Sequence, residues 1–171
     1  MKRLLARLDE HDHIPAAPVA LASLVTEAMA RHAERARQKR IHIALERASI
    51  QPVKAEPLLI GILLDNLIDN AIKYGAAGGR IQVVIFDDEE CVHLAIRDDG
   101  PGVADADIPR LTHRFYRGVD AVAPGSGLGL SIVARIVGYF DGRLRFARGI
   151  DGNGLAVVLA LRRVDAGPAS I

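Results

Sequence analysis

Hydrophobic residues recur along the chain with a helical period in three stretches. From Val19 to about Lys39 the apolar positions are three and four residues apart, which predicts a helix packed by one face on a sheet. The stretch 57–73 has the same spacing, begins with a proline and ends before a glycine-rich turn, so it predicts a second helix. A third helix is predicted from the glycines at 127–129 to about Phe140.

Other stretches alternate apolar and polar residues or are rich in β-branched residues, which predicts about five strands. These are 41–46, 81–86, 92–97, 142–147 and 155–161. The second and third are joined by an acidic turn at 87–90 and therefore predict an antiparallel hairpin. Three helices and about five strands in this order indicate an α/β two-layer sandwich.

The ends of the chain and one internal stretch depart from these periods. Residues 2–10 have helical spacing but are too short for a stable isolated helix, and the prolines within 11–18 mark a linker. We therefore divide the chain into a helical remnant with linker at 1–18, a domain at 19–163 and a flexible tail at 164–171. The irregular stretch 98–127 is rich in glycine and proline, and a loop of this length inside a compact domain is usually functional.

Composition narrows the class of protein. With 171 residues, half of them apolar and a quarter charged, the chain has the balance of one globular domain. A formal net charge of +1 gives no support for nucleic-acid binding. The single cysteine, Cys91, forms no disulfide within the chain, and no apolar run reaches the roughly 20 residues of a membrane span.

The predicted second helix carries an unusual polar stripe. Asn66, Asn70 and Lys73 are four and three residues apart, so they share one face of a helix whose other residues are mostly apolar. Amides at the edge of a buried surface need hydrogen-bond partners or a ligand. An amide oxygen is a hard, neutral ligand of the kind that Mg²⁺ accepts together with water and phosphate oxygens. Taken alone, two solvated asparagines on a helix edge explain the stripe equally well.

Two further stretches have features of a ligand site. Asp98 ends a predicted buried strand, where its carboxylate can accept a hydrogen bond from an exocyclic amine, and Gly100 and Gly102 allow backbone to approach a flat ring. The sequence Gly-Ser-Gly-Leu-Gly-Leu-Ser at 125–131 opens a helix, and free N–H groups there form an anion site. Taken singly, the stretch that follows Asp98 is a common turn, and the stretch at 125–131 lacks the Lys-Ser/Thr ending of a P-loop.

The order and spacing of these stretches resemble the catalytic domains of bacterial sensor histidine kinases. NLIDNAIKYG is similar to the N box of that family, DDGPG to its first glycine box, RFYRG to its F box and GSGLGLSIV to its second glycine box. The family belongs to a wider superfamily with gyrase, the mismatch-repair ATPases and the heat-shock chaperone ATPase. The resemblance covers residues 19–163 and implies the Bergerat-type fold, with a mixed, mostly antiparallel sheet covered on one face by three helices.

The resemblance also implies roles for individual residues, with ATP and Mg²⁺ as ligands. Asn70 would coordinate Mg²⁺, Asn66 and Lys73 would act near the phosphates, Tyr74 would lie against the nucleotide and Asp98 would bind the adenine amine. Phe115 would anchor a mobile lid at 118–126, while Arg117, and in the same manner Arg114, would point at the polyphosphate. The remaining residues implied to contact the cofactor are Gly100, Gly102, Gly125, Ser126, Gly127, Leu128, Gly129 and Leu130.

Asn66 distinguishes phosphoryl transfer from hydrolysis. Relatives that hydrolyse ATP have a glutamate at this position, one helical turn before the metal-binding asparagine, where it serves as general base for water. An amide accepts no proton at neutral pH, so we expect the γ-phosphoryl to persist until a histidine attacks.

Two residues depart from the family pattern. Asp99 is expected to point away from the nucleotide, and Leu155 replaces a threonine.

The acceptor histidine is expected outside this chain, because the prolines around His11 forbid the long helix of an acceptor hairpin. The implied partners are a dimerisation and acceptor domain and a response regulator, with this domain monomeric and the parent a homodimer. The implied location is the cytoplasmic side of a parent anchored in the bacterial inner membrane. An alternative in the same superfamily is an anti-sigma-factor-type serine kinase or regulatory ATP-binding module.

Overall fold

The structure is a computed structural model that describes residues 15–113 and 127–164. Its three α-helices are α1 (Leu21–Gln38), α2 (Pro57–Tyr74) and α3 (Gly129–Tyr139). The start of α2 is fixed by Pro57 in its first turn and by Glu56, whose carboxylate accepts a hydrogen bond of 2.7 Å from the Leu59 N–H. All three helices lie within two residues of the bounds predicted from the hydrophobic period.

Five of the seven described strands form the main sheet: β2 (His42–Arg47), β4 (Arg80–Asp87), β5 (Cys91–Asp98), β6 (Arg143–Arg148) and β7 (Leu155–Arg162). Their order across the sheet is β2-β4-β5-β7-β6. The β2–β4 pair is parallel and the three others are antiparallel. This is the mixed, mostly antiparallel sheet expected from the sequence.

The core lies between the sheet and the helices. Residues at alternate strand positions, such as Ile81, Leu94 and Leu159, pack against the helices and are almost fully buried. The α2 helix contacts both α1 and α3 and is buried over most of its circumference, which explains its high apolar content. Two residues of the polar stripe, Asn66 and Asn70, lie on the part of α2 that faces the start of α3.

A second, two-stranded sheet pairs β1 (Ala17–Val19) with β3 (Val53–Ala55). This sheet is not predicted from the sequence, because three-residue strands are too short to show a period. The sequence places Ala17 and Pro18 in the linker instead. The pairing places these two residues in a strand. The irregular stretch that begins at Asp98 contains a 3₁₀ turn at Ile108–Arg110. None of the described helices has the length and apolar character required to cross a bilayer.

Candidate functional site

Asn66 and Asn70 meet the first residue of α3. A Cβ atom built on Gly129 would lie 3.1 Å from Asn66 Oδ1 and 3.2 Å from Asn70 Nδ2. Asn66 Nδ2 donates a 2.8 Å hydrogen bond to the carbonyl oxygen of Ile62, one turn earlier in α2, and this bond turns Oδ1 toward α3. The amides are thus adjacent to a helix start that lies far away in sequence. The approach is so close that a side chain in place of Gly129 would crowd both amides.

Within the described residues, the first N–H groups of α3 have no hydrogen-bond partner. Leu128, at the N-cap, makes no side-chain capping bond, and the first bond of the helical ladder runs from the Ile132 N–H to the Leu128 carbonyl at 3.0 Å. Gly127 has a φ of 66°, a left-handed conformation that favours glycine. Leu130 packs against the core. The positive end of the α3 dipole therefore faces the two amides, which is a favourable arrangement for an anion.

The last turn of α2 carries Lys73 and Tyr74. The Lys73 ammonium lies 5.5 Å from the centre of the Tyr74 ring, whose side of the helix is exposed. Lys39, just after α1, donates hydrogen bonds of 2.7 and 2.8 Å to the carbonyl oxygens of Ile72 and Lys73. A cation on these carbonyls satisfies groups that the helix cannot pair and complements the negative end of its dipole. Lys39 therefore fixes the turn from which Lys73 and Tyr74 project.

Asp98 is a buried charged residue at the end of β5, with only 6% of its surface exposed. Its Oδ1 accepts hydrogen bonds from the Gly100 N–H at 2.9 Å and the Leu155 N–H at 3.3 Å. Burial raises the pKa of this carboxyl above its ordinary value, and the two N–H donors partly offset the rise. Within the described part of the chain Oδ2 accepts no hydrogen bond, so Asp98 has one oxygen available for a ligand.

Gly100 connects Asp98 with the end of α2. A Cβ atom at this position would lie 2.6 Å from the Tyr74 carbonyl oxygen and 2.9 Å from Asp98 Oδ1. Gly102 has a φ of 75° and passes close to the backbone of Gly154. These contacts bring the strand-end carboxylate, the last turn of α2 and the β6–β7 connection to one place.

A cavity of about 160 Å³ lies beside Asp98. Val103, Ile108 and Leu155 supply apolar walls, and Asp105 and Arg148, which form an ion pair at 3.2 Å, also line it. Since the Leu155 N–H binds the Asp98 carboxylate, the cavity and the carboxylate share a wall.

Asp99 is directed at Arg80 at the start of β4. Its Oδ1 accepts a 2.9 Å hydrogen bond from the Arg80 N–H, and its Oδ2 lies 3.6 Å from Arg80 Nε. The Arg80 guanidinium also pairs with Asp151 at 2.9 Å. Arg80 thereby connects the residue after Asp98 with the β6–β7 connection.

Sequence reasoning missed Lys39, Arg80 and the backbone role of Leu155. Lys39 and Arg80 belong to no motif, and Leu155 stands where the sequence departs from the family pattern. Each acts through a partner at least 19 residues away. A lysine at the end of a predicted helix is the local signal for Lys39. Of the residues implied by the resemblance, Arg114, Phe115, Arg117, Gly125 and Ser126, with the expected lid at 118–126, lie outside the described residues.

The chain is similar in sequence to known proteins. The model of the family described as histidine kinase-, DNA gyrase B- and HSP90-like ATPase matches residues 55–165. The sensor protein kinase PmrB of Pseudomonas aeruginosa is 35% identical over 164 residues, which are 92% of this chain and 33% of PmrB. The sensor protein QseC of Escherichia coli O157:H7 is 34% identical over 86% of this chain and 32% of its own length. The chain thus spans about a third of the length of these curated relatives.

Solved structures show the same fold. The mycobacterial sensor histidine kinase MprB superimposes with a TM-score of 0.74 at 28% identity, covering 86% of this chain and 97% of MprB. Full-length ShkA in complex with AMPPNP gives a TM-score of 0.82 at 26% identity over 96% of this chain and 35% of ShkA. The catalytic domain of histidine kinase ThkA, at 22% identity, gives 0.78 over 88% of this chain and 99% of the ThkA chain and supports the fold alone.

The matched family model covers the N-box helix, the Asp98 region and the start of α3, and the relatives are sensor kinases. The chain belongs to the histidine kinase-, DNA gyrase B- and HSP90-like ATPase family, and within it to the ATP-binding catalytic domains of sensor histidine kinases.

Proposed function

We propose that this domain binds Mg-ATP and transfers the γ-phosphoryl group to a histidine on a separate dimerisation and acceptor domain, for relay to a response regulator. The observation that carries the proposal is the meeting of Asn66 and Asn70 with the uncapped start of α3. Amide oxygens for a cation and free N–H groups for an anion are then adjacent, which is the combination that a metal-bound polyphosphate requires.

Recognition of the base is assigned to Asp98. Its free Oδ2 accepts a hydrogen bond from the adenine amine, while Oδ1 is held by two backbone N–H groups. A guanine presents a carbonyl oxygen where adenine has its amine and leaves a buried carboxylate without a donor, which is costly. Gly100 and Gly102 allow close approach of the ring, and the apolar walls at Ile108 and Leu155 exclude water beside it.

Asn70 is the proposed metal ligand. The described residues contain no group of three or more His, Cys, Asp or Glu that could hold an ion, so nucleotide phosphates and water would complete the coordination of Mg²⁺. When bound, Mg²⁺ offsets negative charge on the phosphates. Asn66, held by the Ile62 carbonyl, offers no proton acceptor to water, which favours transfer over hydrolysis.

Other roles follow from the same assignment. Lys73 contacts phosphate and Tyr74 lies against the nucleotide, with Lys39 holding the turn that carries both. Arg117 acts on the polyphosphate, with Phe115 anchoring the lid and Gly125, Gly127 and Gly129 forming its phosphate-side hinge. Ser126, Leu128 and Leu130 contact the nucleotide beside them. We assign residues 17–163 to this catalytic unit, because β1 pairs with β3, and 1–16 to a preceding segment with linker. Residues 164–171 are the tail, and the domain lies on the cytoplasmic side of an inner-membrane kinase.

Calorimetric titration with a non-hydrolysable ATP analogue tests the site. We expect Asn70→Ala to abolish the gain in affinity that Mg²⁺ gives, since it removes the proposed ligand. We expect Asp98→Asn to weaken binding of the ATP analogue at least tenfold and to reduce its preference over the GTP analogue, because the amide oxygen is a weaker acceptor. Asp65→Asn, on the α1-facing side of α2, is the control and leaves both properties unchanged. Unchanged binding in Asn70→Ala and Asp98→Asn together would refute the site assignment.

Transfer is tested with an acceptor hairpin domain supplied as a separate protein. The expected product is acid-labile, base-stable phosphohistidine on the hairpin, formed faster than free phosphate. Phosphoserine on another protein would instead support the serine-kinase alternative, which the sensor-kinase relatives do not favour. Release of phosphate at the same rate with and without the hairpin would contradict the role assigned to Asn66.

A further inference from the structure

The face of the main sheet that is turned away from the helices carries an unusual distribution of charge. Strand positions alternate between the two faces, and the outward positions of β4, β5, β6 and β7 contain no aspartate or glutamate. They do contain arginines: Arg80, which pairs with Asp99 and Asp151, and a group of four that we call the arginine face, Arg97, Arg143, Arg145 and Arg162. In a chain whose net charge is only +1, this is a strong local asymmetry.

Within the part of the chain that the structure describes, none of these four arginines forms an ion pair. Other exposed arginines do, as Arg31 with Asp65 and Arg148 with Asp105. Arg143 and Arg145 are two residues apart on edge strand β6, which spaces them about 7 Å. Arg143 pairs with Ala160, so Arg162 is its diagonal neighbour on β7. Three guanidinium groups are thus neighbours without a compensating carboxylate, an arrangement that repels itself unless an anion binds.

The floor between these arginines is flat and made of small residues. Ala95, Ala156 and Val158 form a separate apolar cluster on this face, and all three are buried although no helix covers them. Val158 lies directly between Ala95 and Arg145 in the register. Arginine side chains on such a floor can lay their aliphatic stems on the sheet and keep their charged ends in water.

We propose that the arginine face binds the surface of an anionic phospholipid membrane. A planar array of guanidinium groups matches phosphates that lie in a plane, since each guanidinium binds phosphate through paired N–H donors. The large exposed hydrophobic side chains, Ile50, Leu58 and Tyr74, all lie outside this face. The aromatic side chain at the outward positions of these strands, Phe86, is already stacked on His93 with ring centroids 4.7 Å apart. The positions between the four arginines are small residues, which offer no anchor of the kind that a packed protein interface needs.

Binding in this orientation leaves the nucleotide site free. Asn66, Asn70 and the start of α3 belong to the helical layer, on the opposite side of the sheet from the arginine face. A domain held at the membrane by its sheet would therefore still present α2 and α3 to nucleotide and partner domains. The inference requires neither nucleotide nor kinase activity, so its test is independent of the function proposed above.

The test is sedimentation of the purified chain with vesicles of phosphatidylcholine alone or mixed in equal parts with phosphatidylglycerol. Binding is expected only to the mixed vesicles and is expected to weaken as NaCl is raised, because surface charges are screened. Each basic residue near an anionic leaflet strengthens binding about fivefold. The triple variant Arg143→Gln, Arg145→Gln, Arg162→Gln is therefore expected to bind about a hundredfold more weakly.

A matched control removes three positive charges from other surfaces, as Arg31→Gln, Arg37→Gln, Lys54→Gln. Both triple variants have the same net charge, so equal loss of binding in the two would overturn the proposal. Binding of wild-type chain to neutral vesicles, or no binding to anionic ones, would also overturn it, even if a variant failed to fold. A duplex oligonucleotide bound as tightly as the mixed vesicles, with the same dependence on the arginines, would assign the face to nucleic acid instead.

Discussion

Gly100→Ala probes the contact between the Asp98 loop and the end of α2. The new Cβ would lie 2.6 Å from the Tyr74 carbonyl oxygen and 3.1 Å from Gly75 Cα, both of them backbone atoms. A carbon and a carbonyl oxygen in contact are normally about 3.5 Å apart, so the two segments must separate by almost 1 Å. Because Lys39 and the α2 ladder hold the Tyr74 turn, the loop has little room to yield.

The expected destabilisation follows from this geometry. Inserting a methyl group into a packed site costs about 1–3 kcal/mol, and the loss of glycine's freedom in the unfolded chain returns about 0.4–1 kcal/mol. The net loss is about 0–2.6 kcal/mol, and because both clashes are with backbone atoms we expect the upper part, about 1–2.6 kcal/mol, or a fall in Tm of about 2–10 °C for a domain of this size. Separation of Asp98 from Tyr74 also disrupts the proposed base site, so nucleotide affinity should fall at least tenfold.

Gly61→Ala is the matched control. Gly61 lies in the interior of the same helix, α2, and a Cβ there meets nothing within 4 Å. Alanine should stabilise the helix by about 0.5–1 kcal/mol and leave nucleotide binding unchanged. The assays are urea unfolding and calorimetric titration of an ATP analogue for both variants. Wild-type stability and affinity in Gly100→Ala, or an equal loss in Gly61→Ala, would refute the reasoning.

Three further predictions concern charge. Burial raises the pKa of the Asp98 carboxyl in the folded protein above its ordinary value of 3.8, so the free energy of unfolding should fall as the pH rises from about 4 through the folded pKa. Asp98→Asn should remove this fall in a series of unfolding curves, and a steeper fall in that variant would contradict the reasoning. Asp88 behaves oppositely, since its hydrogen bond to His93 lowers its pKa from 3.8 to about 2. The contribution of Asp88 to the free energy of unfolding should be lost as the pH falls from 3.8 through about 2. The same series of unfolding curves should show no such loss for Asp88→Asn. Lys39→Met should lose about 1–3 kcal/mol in urea unfolding, while an unchanged midpoint would show that the carbonyl contacts are not needed.

Much of the fold could be predicted from the sequence because its helices and strands are long enough to show a period. The α2 helix is the clearest case, with an apolar surface over most of its circumference and a proline at its start. The residues of the site were found for a different reason: Asn66, Asn70 and Asp98 stand in a fixed order within motifs that resemble a known family. Their partners were not found, since a hydrogen bond between Lys39 and the end of α2 leaves no pattern in either stretch.

By itself, the sequence determined which residues are helical or extended, which side of each element is apolar and which residues are capable of nucleotide chemistry. These properties depend on neighbours within a few positions. Only the tertiary structure decided that Gly129 lies against two amides of α2 and that Arg80 joins Asp99 to Asp151. It also decided that four arginines of three strands share one face without forming an ion pair among the described residues. Those relations depend on strand order and on helix packing over the sheet, which arise from the summed burial of the whole core and not from any local stretch.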